Sequence, residues 1–194
     1  MNEKRRMPLL AALEAISELR SEEIVVTTMG AAREWPRLSQ HPLDFHYLPS
    51  AMGHAPMLAL GLALAQPQRE VIAFNGDGCM LMSLGCLVTI AASGAKNLTL
   101  AVLENGIYEV TGGQQTAGAV AKVEFAGMAR AAGFPSVFHF NDLANWRQQA
   151  AAVLQAPGPR FISLAVEPVG ADYLLPPPAM KAQIERFCAA LAPK

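Results

Sequence analysis

The sequence predicts an α/β domain: a doubly wound, mainly parallel sheet of about six strands with helices on both faces. Apolar, β-rich runs alternate along the chain with longer helical patterns. Several of those runs are apolar at every position rather than at every second one. Such strands are buried on both faces, as in a parallel sheet covered by helices on each side. No internal repeat interrupts the alternation, and the span 1–194 reads as one domain.

The elements follow in order. The first segment, "MNEKRRMPLLAALEAISELR", has a basic start and an apolar stretch that superficially imitates a secretory leader. Glu14 and Glu18 interrupt it at helical spacing and no small-residue cleavage site follows, so it reads as an amphipathic helix near Leu9–Leu19. Strands are expected at Ile24–Thr28, Phe45–Leu48, Val71–Phe74, Leu98–Leu103, Ser136–Phe140 and Phe161–Val166, where β-branched and aromatic residues cluster. Helical patterns lie between them near Ala55–Ala65, Met80–Ala92, Val123–Ala132 and Leu143–Leu154. The one compositional break is "EPVGADYLLPPPAM", a Pro-rich connector over 168–178 before a last helix at Ala179–Leu191.

Composition narrows the function classes. Apolar residues make up 52% and charged residues 16%, low enough to suggest that another subunit covers part of the surface. No apolar run reaches the roughly 20 residues that span a bilayer. Cys79, Cys86 and Cys188 have neither the number nor the spacing of a disulfide framework or zinc site; Cys79 and Cys86, two helical turns apart, read as small core residues. The expected compartment is the cytoplasm, with no nucleic-acid or membrane partner.

Ligands in a doubly wound fold sit beyond the carboxyl ends of the strands. Three polar segments fall at that edge: "TTMGAAREWP" after the first strand, "NGDGCMLM" after the third and "LENGIYEVTGGQQT" after the fourth. Asp77 admits several readings. It is a turn carboxylate capping the helix that starts near Cys79, or part of a nucleotide loop, or a metal ligand. A dinucleotide fingerprint fails because Leu81 stands where the third glycine belongs, and no Gly-Lys-Ser/Thr follows to make a P-loop. In the metal reading, the Gly76–Gly78 turn aims backbone N–H groups at a diphosphate. Asp77 and the Asn105 side-chain oxygen then supply hard oxygen ligands to Mg²⁺. One strand–helix–strand unit separates the two, the spacing of neighbouring parallel strands.

"GDG" (Gly76–Gly78), then 25 residues, then "EN" (Glu104, Asn105) resembles the thiamine-diphosphate motif. The stretches "SAMGHAPMLALGLALAQPQREVIAFNGDGCMLMSLG" and "VLENGIYEVTGGQQT" resemble the phosphonopyruvate decarboxylases and the β subunits of sulfopyruvate decarboxylases, strongly over Thr27–Thr116 and by fold order elsewhere. The resemblance implies a thiamine-diphosphate-binding fold, with Asp77, Asn105 and the Ile107 carbonyl as Mg²⁺ ligands. It places Gly76, Gly78 and Cys79 at the diphosphate, with Gly53 and Tyr108 also at the cofactor. Met52 would prop the bent cofactor, and the Ser50 carbonyl would accept a hydrogen bond from its aminopyrimidine. Glu104 departs from the commoner Asn of the motif.

Enzymes of this family need a second domain, which binds the pyrimidine and supplies a glutamate to its ring. No second domain fits into 194 residues. The resemblance therefore implies the diphosphate-binding (β-type) half of a 2-oxo acid decarboxylase. A separate pyrimidine-domain (α-type) subunit would complete the site, as a heterotetramer of two heterodimers. The products would be an aldehyde and CO₂, from 3-sulfopyruvate or 3-phosphonopyruvate. Candidate catalytic residues are His54 and Gln114, and candidate substrate contacts are Arg33, His54, Gly113 and Gln114, with Gly112–Gln114 as a flexible polar loop. Arg33 reads first as a solvated helix residue and only then as a substrate contact, and His46 reads as a packed or interface histidine. Rival readings are another thiamine-diphosphate carboligase or acyltransferase half, a non-catalytic regulatory subunit, and a nucleotide-binding module.

Overall fold

The computed structural model describes residues 6–49, 51–170 and 179–192. Ser50 and residues 171–178 of the Pro-rich connector lie outside them. The chain folds around a six-stranded, wholly parallel sheet of β1 (Ile24–Thr27), β2 (Asp44–His46), β3 (Val71–Gly76), β4 (Leu98–Glu104), β7 (Ser136–Phe140) and β8 (Arg160–Ala165), in the order β2-β1-β3-β4-β8-β7. The doubly wound parallel sheet foreseen from the apolar runs is therefore present. Every residue of β1 and β8 is buried, and β3 and β4 expose only their last residue in part. The two edge strands, β2 and β7, are less covered.

Alternate residues of these strands feed two separate cores. On one face Val25, Ile72, Phe74, Ala101, Ile162 and Leu164 pack against α1 (Leu9–Ser17), α2 (Met29–Glu34) and α8 (Leu143–Gln155). On the other face Ile24, Val26, Val71, Ala73, Leu100 and Val102 meet α3 (Ala55–Ala65), α5 (Cys86–Ala92), α7 (Phe125–Ala132) and α9 (Met180–Leu191). The leader-like segment is thus a packed helix, tied to α8 by the Trp146 indole N–H on the Ala12 carbonyl at 2.9 Å. The last helix covers the exposed edge of the sheet. The Gln183 amide accepts from the His46 N–H at 2.8 Å and donates to the His46 carbonyl at 2.9 Å, substituting for a missing strand.

The expected single helix over Met80–Ala92 is broken into α4 (Asp77–Leu81) and α5, with Met82–Gly85 between them as turns closed by i→i−3 bonds such as Cys86 N–H to the Ser83 carbonyl. Gly53 presses on this break. It holds φ +86°, and a Cβ there would lie 2.9 Å from the Cys79 carbonyl oxygen and 3.1 Å from the Ser83 Cβ. The expected loop at Gly112–Gln114 is instead the turn and return arm of a small antiparallel hairpin, β5 (Ile107–Tyr108) with β6 (Gln114–Gln115). A short α6 (Ala117–Ala121) follows it.

Two connections set the position of any ligand. From β1 the chain moves outward to β2, whereas from β3 it moves the other way to β4. The carboxyl ends of β1 and β3 therefore flank the point where the winding reverses, which opens a crevice in this architecture.

Candidate functional site

A cleft opens at that reversal. Its lining comes from the residues after β1 (Thr28–Ala31), the Gly76–Cys79 turn after β3, and Asn105 with Ile107–Val110 after β4; Met52 closes one side. The three segments singled out at the strand ends thus meet in one place.

Asp77 forms the floor. It is 4% exposed, and its Oδ1 accepts the Gly78 N–H at 2.9 Å. Its Oδ2 accepts the Gly106 N–H at 3.0 Å and the Thr116 hydroxyl at 3.3 Å. All three donors are neutral, and no ion pair to Asp77 exists among the described residues. Burial pushes its carboxyl pKa above the ordinary carboxylate value, the N–H groups of Gly78 and Gly106 and the Thr116 hydroxyl oppose that rise, and the nearby Glu104 charge adds to it. A buried carboxylate held by neutral donors alone is an electrostatic arrangement that a cation would complete.

Asn105 comes from the next strand. Its Oδ1 accepts the Ile107 N–H at 3.0 Å, and its Nδ2 donates to Glu109 Oε2 at 2.9 Å. Arg6 donates to the Asn105 carbonyl and so holds the backbone of this turn. Gly78 is required by contact: a Cβ there would stand 2.4 Å from Tyr108 Cε1, so the Tyr108 ring lies directly over the turn. Cys79 lines the cleft, and burial raises its thiol pKa. Met52 is 41% exposed at the rim of the cleft.

The donor set fits magnesium and a diphosphate. A carboxylate, a side-chain amide oxygen and a backbone carbonyl are hard oxygen ligands, few enough for a cation that keeps other oxygens in its shell. Among the described residues no group of three His, Cys, Asp or Glu forms a softer metal site. In this structure the Gly78 N–H is turned to Asp77 rather than outward.

The remaining expected residues are not in the cleft lining. His54 is exposed at the start of α3, with Nδ1 3.3 Å from the Met52 carbonyl. Gln114 is exposed in β6 and bonded to Thr111, where its Nε2 donates to the carbonyl at 2.8 Å; Gly113 sits in the hairpin turn. Arg33, on α2, pairs with Glu34 at 3.4 Å. Ser50 lies outside the described residues. Glu104 accepts from the Ser163 hydroxyl on β8 and does not line the cleft, which gives the departure from Asn a structural partner.

The structure adds Thr116 and Met29, and gives Glu109, which the sequence already sets beside the expected metal ligands, a bonding partner. Thr116 caps α6 through the Ala119 N–H at 3.1 Å while holding Asp77. Met29 lines the cleft at φ +48°, a conformation sparsely populated outside glycine and common at functional sites. Glu109 binds Asn105. The sequence signals for these were weak: a lone threonine before a short helix, a methionine after a strand, and a glutamate near the motif.

Residues 25–164 match the family model described as the thiamine pyrophosphate enzyme, C-terminal TPP binding domain. The chain belongs to this family. It is 36% identical over 179 residues to a phosphonopyruvate decarboxylase of Streptomyces viridochromogenes, an alignment covering 91% of this chain and 44% of that protein. It is also 36% identical over 179 residues to the sulfopyruvate decarboxylase subunit beta of Methanothermobacter thermautotrophicus, covering 92% of each. The chain thus spans under half of the first relative and nearly all of the second. The fold superposes on benzoylformate decarboxylase from Polynucleobacter necessarius with a TM-score of 0.68 at 19% identity, over 86% of this chain and 35% of that one. The matched family is described as binding thiamine pyrophosphate, and the matched span contains most of the residues that line the cleft. Among the described residues no helix is long and apolar enough to cross a membrane.

Proposed function

We propose that this chain is the diphosphate-binding subunit of a thiamine-diphosphate-dependent 2-oxo acid decarboxylase. Its substrate is 3-sulfopyruvate or 3-phosphonopyruvate, the products are the aldehyde and CO₂, and a separate pyrimidine-domain subunit completes the site. The observation that carries this reading is Asp77: a buried carboxylate with no ion-pair partner among the described residues, in the lining of a cleft shared with Asn105 and Ile107. The near-full-length match to a protein named subunit beta supports the split into two chains, and the low charge content supports a covered surface.

When bound, thiamine diphosphate supplies the electron sink that loss of CO₂ from a 2-oxo acid requires. This chain's residues do the rest. Asp77, Asn105 and the Ile107 carbonyl would hold Mg²⁺. Gly76, Gly78 and Cys79 would hold the diphosphate, with Tyr108, whose ring packs on Gly78, also at the cofactor. Met52 would support the cofactor from the rim, beside Gly53, and the Ser50 carbonyl would accept from the aminopyrimidine. His54 and Gln114 flank lining residues, His54 through Met52 and Gln114 through Tyr108, and serve the substrate from the mouth of the cleft together with Arg33 and Gly113. The expected assembly is a cytoplasmic heterotetramer of two heterodimers.

The test is CO₂ release by the chain co-expressed with the product of its neighbouring gene, in thiamine diphosphate and Mg²⁺. Sulfopyruvate and phosphonopyruvate are offered side by side, with pyruvate as control. A preference for one of the first two is expected. No release from any of them, with cofactor binding intact, would move the reaction elsewhere in the family's chemistry. Robust release by the single chain alone would contradict the split site.

A further inference from the structure

We propose that Glu109 is the positioning residue that sets which end of the Asn105 amide faces the metal. The proposal rests on reading Asn105 as a Mg²⁺ ligand. An ionised carboxylate only accepts hydrogen bonds, whereas an amide has a donor end and an acceptor end. Glu109 Oε2 faces Asn105 at 2.9 Å, so Asn105 must present Nδ2 to it, and Oδ1 is turned to the other side. The Ile107 N–H, 3.0 Å from that Oδ1, agrees with the same orientation. Asn105 is left with a carbonyl oxygen, not an NH₂ group, on the side where a cation needs a ligand.

Glu109 is itself held. Its Oε1 accepts the Val169 N–H beyond β8, and its Oε2 lies 3.6 Å from where a Cβ on Gly30 would stand, an ordinary van der Waals distance. One side chain thereby bonds the segments that follow β4 and β8 to each other beside the cleft. Residues that orient ligands by hydrogen bonds are commonly worth 10–100-fold in metal affinity.

The geometry makes Glu109→Gln a sharp test. The Val169 N–H demands an acceptor, which turns the new amide's NH₂ toward Asn105. Asn105 must then either face donor to donor or flip and offer its own NH₂ to the metal. Asn105→Asp alone sets two carboxylates face to face. Combining the two changes restores one donor against one acceptor and leaves a carboxylate oxygen for the metal.

The measurement is the Mg²⁺ concentration giving half-maximal thiamine-diphosphate binding, by equilibrium dialysis of the full chain in the assembly in which it is isolated. Apo melting temperature is recorded alongside. Each single variant should raise that concentration about tenfold or more, and the double variant should recover to within about threefold of the parent. An unchanged midpoint in Glu109→Gln, with only the apo melting temperature lowered, would reduce Glu109 to a structural brace and overturn the proposal. So would a double variant no better than the singles. Asn105→Ala separates the levels: if it binds cofactor and Mg²⁺ normally, the ligand reading itself falls. If it loses Mg²⁺-dependent binding while Glu109→Gln does not, only the positioning role falls.

Discussion

Two buried aspartates stand at opposite edges of the same sheet. Asp44 opens β2 at the amino edge, fully buried, with the Arg20 guanidinium at 3.0 Å, the Trp35 indole N–H at 3.1 Å, the Ser39 hydroxyl at 2.6 Å and the His41 N–H at 2.9 Å. Asp77 follows β3 at the carboxyl edge, equally removed from water, with three neutral donors. The first charge is neutralised within the chain and ties Arg20 beyond α1, the 35–41 segment and β2 together. The second meets no cation among the described residues. Buried charge neutralised internally is architecture; buried charge without that neutralisation, at the winding reversal, is where a ligand is expected.

The widest separation comes from deleting each carboxylate. Asp44→Ala strands the Arg20 guanidinium in the interior and should cost about 3–5 kcal/mol of stability. Asp77→Ala should leave the apo protein within about 1 kcal/mol of the parent, since lost hydrogen bonds are offset by removal of an uncompensated buried charge. Urea unfolding of both variants checks this, and equal losses would erase the distinction. Next, Gly78→Ala drives a methyl into the Tyr108 ring and should cost about 1–3 kcal/mol, with cofactor affinity falling in parallel. Adding Tyr108→Ala should recover part of that loss in the same assay. Gln183→Ala leaves the His46 N–H and carbonyl without their partner and should cost about 1–2 kcal/mol while cofactor binding stays unchanged.

The smallest effect is in pH. The Asp77 carboxyl is raised in the folded state, so its contribution to apo stability is present below the ordinary carboxyl pKa. That contribution is lost as pH rises through the raised value. Mg²⁺ needs the ionised form, so its affinity should climb over that same window. His46 has the opposite sign. Burial lowers its pKa, so its contribution is complete above the unfolded histidine value and is lost as pH falls through the lowered one. Apo melting profiles of the parent against Asp77→Ala isolate the first term.

The fold was largely legible because a doubly covered parallel sheet leaves a clear mark: strands such as "VIAF" with no polar position. The placing of Asp77 and Asn105 at neighbouring strand ends followed, whereas the strand order, and with it the reversal point, came only from the structure. Less legible was whatever depends on single contacts. The break at Met82–Gly85 is set where the Gly53 loop meets the helix, and apolar periodicity runs through it unaltered. The β5–β6 hairpin is two residues per arm, too short for alternation to show. Glu109 and Thr116 matter through which atom faces which, and no spacing rule encodes that. His54 and Gln114, taken from the resemblance, and Arg33, taken as a cation after the first strand, all lie outside the cleft lining, and nothing in residue type or spacing foretold that.

The most direct test of the central claim is thiamine-diphosphate binding by the chain in excess Mg²⁺ and again in chelator, for the parent and for Asp77→Ala, by titration calorimetry. The account predicts binding by the parent only with Mg²⁺, and a loss of at least about 100-fold in Asp77→Ala. Parent binding that is indifferent to chelator, or an Asp77→Ala variant that binds as tightly as the parent, would contradict it.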